Sequence, residues 1–74
     1  MGSFQYQWWT VDVKEPTGRI TWEVKAKDKE RAIRQVNKLK KEFEAEMRET
    51  GHDFTVIIFW DTLTLDRTGY QRRF

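Results

Sequence analysis

Apolar and polar positions alternate along the start of the chain in a way that fills both faces of one strand. Phe4, Tyr6 and Trp8 fall on one side of an extended segment, and Trp9, Val11 and Val13 on the other. A first strand is therefore expected over 4–14. "EPTG", residues 15–18, follows as a turn, with Pro16 fixing φ and Gly18 free to take φ > 0. Ile20, Trp22 and Val24 then alternate with Thr21 and Glu23, which predicts a second strand and closes a hairpin. From residue 29 the period lengthens. Ala32, Ile33, Val36, Leu39, Phe43 and Met47 recur at steps of three and four, one apolar stripe of a helix over 29–50. Asp28 is placed to cap its start and Gly51 to end it. "FTVIIFW", residues 54–60, is nearly continuous in apolar groups and predicts a third, central strand covered on both faces. "DRTG", residues 66–69, repeats the turn chemistry of the first hairpin, and residues 70–74 predict a short last strand.

The order β-β-α-β-β predicts an α+β fold of two layers, one helix packed on one face of a four-stranded sheet. The first and third strands are the most apolar and belong at the centre, giving the antiparallel order 2-1-3-4. The stretch "VKEPTGRITWEV" resembles the first hairpin of the β-grasp family over 12 residues with a one-residue gap. That resemblance implies the alternative order 2-1-4-3.

Two signals compete over the register of the first hairpin. If Lys14 pairs with Arg19, then Val13 faces Ile20, Val11 faces Trp22 and Trp9 faces Val24, one coherent apolar face. Proline and glycine at their turn positions favour instead a three-residue loop with Glu15 opposite Arg19. A one-residue bulge in the first strand reconciles the two. The apolar register takes precedence, because slipping it by one residue turns the buried face outward. Trp9, Trp22, Val36, Phe43, Val56 and Ile58 are then the core. Phe4, Tyr6 and Trp8, with Ile57 and Phe59 of the third strand, are left on the face away from the helix. That face is expected to carry an apolar patch of several hundred Å², more than a monomer usually leaves open.

The chain has 74 residues and 9.0 kDa, enough for one domain with a single small core. Residues 4–74 form that domain, and residues 1–3 read as an expression remnant or a disordered start. Four Trp, two Tyr and five Phe give the core and the opposite face an aromatic character. Residues 25–41 carry eight cations against two carboxylates, whereas residues 42–53 carry five carboxylates against one cation. This polarity opposes the helix dipole. On a helical wheel Arg31, Arg34, Lys38 and Lys41 lie opposite Val36, a basic stripe able to meet phosphates or an acidic surface. Arg72 and Arg73 add to it from the last strand.

Catalytic chemistry is sparse. There is no cysteine, so no disulfide, thiol nucleophile or thiolate metal site, and a reducing, cytoplasmic setting fits. His52, the single histidine, follows the helix-ending glycine and reads as a loop or cap residue. No glycine-rich phosphate loop or nucleophile elbow occurs, and no apolar run is long enough to span a membrane. No enzyme activity, cofactor, metal or small-molecule substrate is expected. The expected function is a small protein-interaction module of inhibitor or adaptor type. Its aromatic sheet face would serve homodimerisation or partner docking. The alternative is a nucleic-acid-binding module using the sheet aromatics or the basic helix stripe.

Overall fold

A computed structural model describes residues 6–66. It shows β1 (Gln7–Glu15), β2 (Gly18–Ala26), α1 (Lys29–Glu49) and β3 (Ile57–Leu65). The three strands form one antiparallel sheet in the order β2-β1-β3, with α1 on one face. This is the expected two-layer α+β fold with a shorter sheet. Neither four-stranded order is seen: the expected last strand lies outside the described residues, as do Phe4, Arg72 and Arg73. β1 is central as its apolar content requires. The third strand is not: β3 is an edge among the described strands.

The first hairpin follows the apolar register. Lys14 pairs with Arg19, Val13 with Ile20, Val11 with Trp22 and Trp9 with Val24, without interruption from Gln7 to Glu15. The bulge expected in β1 is therefore absent from this ladder. Gly18 makes it unnecessary: paired with Glu15, it takes φ +126°, which leaves a two-residue loop of Pro16 and Thr17. The irregularity falls in β3 instead. Thr10 faces Thr64 and Asp12 faces Phe59, so two steps along β1 span five along β3. The Thr62 hydroxyl bridges this bulge. It accepts from the Asp12 N–H at 2.8 Å and donates to the Phe59 carbonyl at 2.6 Å. The bulge shifts the alternation, so Val56 and Ile58 reach the core before it and Leu63 after it.

α1 starts and stops where its caps dictate. The Asp28 carboxylate accepts from the Arg31 N–H at 2.8 Å. At the other end Gly51 (φ +88°) donates to the Arg48 carbonyl at 3.0 Å, and His52 donates to the Met47 carbonyl at 2.8 Å. This is a Schellman ending, and it accounts for Gly51 and His52 as a pair.

The core consists of Val11, Val13, Val24, Ala26, Ala32, Val36, Val56 and Leu63, all buried. Trp9, Trp22, Phe43 and Ile58, expected within it, are half-buried groups packed against it. Trp22 and Phe43 meet edge to face with centroids 6.3 Å apart. The large rings thus wall the small core rather than fill it. Residues 54–56, expected to open the third strand, precede β3. Val56 is nonetheless fixed there, because its N–H donates to the Glu44 carboxylate at 2.8 Å, which also holds the Lys40 ammonium at 2.8 Å. These two donors, the ammonium first, hold the Glu44 carboxyl below the usual carboxylate range. Lys40 is therefore an ion-paired strut. Among the described residues no helix is long and apolar enough to cross a membrane.

Candidate aromatic and basic sheet face

The face of the sheet away from α1 is built by the strand alternation. Trp8 pairs with Lys25, Asp12 with Thr21 and with Phe59, and Lys14 with Arg19 and with Ile57. Tyr6, Trp8, Ile57 and Phe59, the sequence candidates within the described residues, thus share this side. Tyr6 and Ile57 are the most open, at 58% and 51% exposure, and Trp8 and Phe59 are half-buried.

The face is not the bare apolar patch expected. Among the described residues a cation lies over each of three rings on this face: the Arg19 guanidinium 4.3 Å from the Phe59 centroid, the Lys25 ammonium 5.7 Å from Trp8 and the Lys27 ammonium 5.4 Å from Tyr6. The reason is cross-strand geometry. In the observed register the odd positions of β2 stand beside the even positions of β1, and β2 carries Arg19, Lys25 and, just beyond its end, Lys27 there. Sequence reasoning placed the functional cations on the helix and, with Arg72 and Arg73, on the last strand, and missed these three. The pairing of Lys14 with Arg19 already contains them, since it sets Trp8 opposite Lys25.

Asp12 organises the middle of the face. Its carboxylate accepts from the Thr21 hydroxyl at 2.9 Å and from Arg19 Nη2 at 3.0 Å. The Thr21 bond and then the guanidinium hold its pKa below the ordinary carboxylate value. In return Asp12 anchors Arg19 over Phe59. Asp66, whose N–H donates to the Trp8 carbonyl, continues the ladder beyond Trp9 and Leu65. Among the described residues four cations (Lys14, Arg19, Lys25, Lys27) and three carboxylates (Asp12, Glu23, Asp66) thus leave this face with a charge of +1.

Two grooves run along the outer edge of β2 where α1 overhangs it. One, of about 280 Å³, is lined by Tyr6, Lys25, Lys27, Arg31, Arg34 and Lys38 among others. It joins three members of the expected helix stripe to the ring end of the sheet. Lys41, the fourth, is exposed outside it. The other groove, of about 460 Å³, has Ile20, Trp22, Leu39 and Phe43 as its apolar lining. Glu15, Glu23, Glu42 and Glu46 supply its charge. Neither contains a catalytic constellation. His52 is exposed at the helix end, with Nδ1 3.1 Å from the Thr50 hydroxyl. Among the described residues no group of three or more His, Asp or Glu side chains is placed to hold a metal ion. No known family model matches this chain, and no curated protein or solved structure matches it either.

Proposed function

We propose that this protein is a non-enzymatic binding module whose open sheet face takes single-stranded nucleic acid. The observation that carries the reading is the pairing of each exposed-face ring with its own cation: Tyr6 with Lys27, Trp8 with Lys25 and Phe59 with Arg19. A ring offers a stacking surface to an unpaired base, and the neighbouring cation can turn to the phosphate beside it. The same arrangement disfavours the sheet-against-sheet homodimer expected from the sequence, because it would bring two faces of net positive charge together and bury the cations over their rings. Among the described residues the face carries no group of side chains disposed to read base edges, so binding should be non-specific in sequence and weaken with salt.

Fluorescence anisotropy with a labelled oligothymidylate and a labelled duplex tests this. The single strand should bind more tightly than the duplex. Trp8→Ala should weaken it by about 5- to 150-fold, the loss of stacking for one base, with circular dichroism unchanged. Equal affinity for the duplex, or full affinity in Trp8→Ala, refutes the proposal. Docking on a protein partner is the second reading. It is favoured by Ile57 and Trp60 of β3, 51% and 40% exposed beyond the ring-and-cation pairs. It prevails if no oligonucleotide binds.

A further inference from the structure

The charges along the edge of β2 are sorted by sign, and the sorting is self-complementary. β2 and α1 run antiparallel, so one end of their shared edge gathers Lys25, Lys27, Arg31, Arg34 and Lys38, while Asp28 is engaged with Arg31. The other end gathers Glu15, Glu23, Glu42 and Glu46 around the apolar Ile20 and Leu39. Ile20 and Leu39 are 39% and 37% exposed, on an edge whose strand pairs only with β1 among the described residues.

We propose that this edge is the interface of a two-fold homodimer in which the two α1 helices, each lying over its own β2, pack antiparallel side by side across the axis. A two-fold operation reverses the direction of the edge, so the basic end of each copy meets the acidic end of the other. Centring the axis between Lys38 and Glu42 brings Arg34 against Glu46 of the second copy and Lys38 against its Glu42. Ile20 and Leu39 of both copies are then covered. A parallel arrangement would set five cations against five, so the charges select the antiparallel pairing and oppose open-ended stacking. The contact can run the length of the helix, whose 21 residues extend about 30 Å. The two ring-and-cation faces then lie on the same side of the dimer. The inference rests on the sorting of charge and not on nucleic-acid binding, although Tyr6, Lys25 and Lys27 belong both to the basic groove and to the ring-and-cation face.

Charge exchange tests it on the full chain. Sedimentation equilibrium of the wild type should give twice the 9.0 kDa chain mass. Arg34→Glu with Lys38→Glu, and separately Glu42→Lys with Glu46→Lys, should each weaken the dimer by tenfold or more while helical circular dichroism is kept, because all four side chains are exposed. Mixing the two variants in equal amounts should restore a dimer containing one of each. A variant that loses its helical signal is replaced by Leu39→Arg, which should also give a monomer. The proposal is overturned by a monomeric wild type at millimolar concentration, by a dimer indifferent to these changes, or by variants that fail to recombine. Loss of oligonucleotide binding in Arg34→Glu with Lys38→Glu, with the wild type a monomer, would assign the basic groove to phosphates instead.

Discussion

Thr62 holds the bulge that decides which β3 residues face the core, and Thr62→Val is the perturbation that isolates it. The substitution keeps the shape and the β-branch and removes only the hydroxyl. The Asp12 N–H then loses its acceptor and the Phe59 carbonyl its donor, bonds of 2.8 and 2.6 Å. An unsatisfied buried polar group costs about 1–3 kcal/mol. Thr62 is half-buried and water reaches part of the bulge, so the pair should cost about 2–3 kcal/mol rather than the full sum. That is a large share of what a domain this small can hold. Urea unfolding followed by tryptophan fluorescence should show a lower midpoint at unchanged m-value, and thermal melting a drop of roughly 8–24 °C. Thr62→Ser keeps the hydroxyl and should cost under about 1 kcal/mol, chiefly the lost methyl. If Thr62→Val matches the wild type within 0.5 kcal/mol, about the scatter of a neutral surface change, the hydroxyl does not support the bulge.

Phe43→Ala removes the edge-to-face contact with Trp22 and the wall of the acidic groove. Because Phe43 is half-buried, the loss should be about 2–3 kcal/mol rather than that of a sealed core ring, read from the urea midpoint. The Glu44 carboxyl titrates below its ordinary 4.5 in the folded protein, so the unfolded chain takes up the proton first as pH falls. The stability it contributes is present above pH 4.5 and is lost as pH drops through the depressed folded value. Glu44→Gln should therefore narrow the difference between urea midpoints at pH 7 and pH 3. An unchanged difference would show that the strut to Lys40 and Val56 does not form.

Much of the fold was legible because apolar spacing specifies it. The register of the first hairpin, the length of α1 and both of its caps follow from Val11, Val13, Val36, Asp28 and Gly51, each acting through neighbours a few residues away or directly opposite. The start of β3 and its bulge were not legible. Thr62 bonds to Asp12, 50 positions earlier, and Val56 is fixed by Glu44 on the helix, contacts that leave no mark on periodicity. An apolar run alone made residues 54–60 look like a buried central strand, although ordinary alternation puts Val56 and Ile58 at the core and Ile57 and Phe59 on the outer face. The candidate face was half legible. Its rings follow from alternation, but its cations needed the register to be carried one step further, from Lys14 and Arg19 to Trp8 and Lys25. The basic helix stripe drew attention from them because eight cations cluster within residues 25–41.

The central claim is a division of labour on the sheet face, with rings taking bases and cations taking phosphates. Affinity for an oligothymidylate measured across a series of salt concentrations tests it most directly. Three or four phosphate contacts on a single strand predict a slope of log K against log salt of about −2 to −3. Lys25→Ala should reduce the size of that slope by about 0.7, one contact's share. Trp8→Ala should lower K at every salt concentration and leave the slope unchanged. A flat slope, or a Trp8→Ala variant that binds like the wild type, would contradict the account.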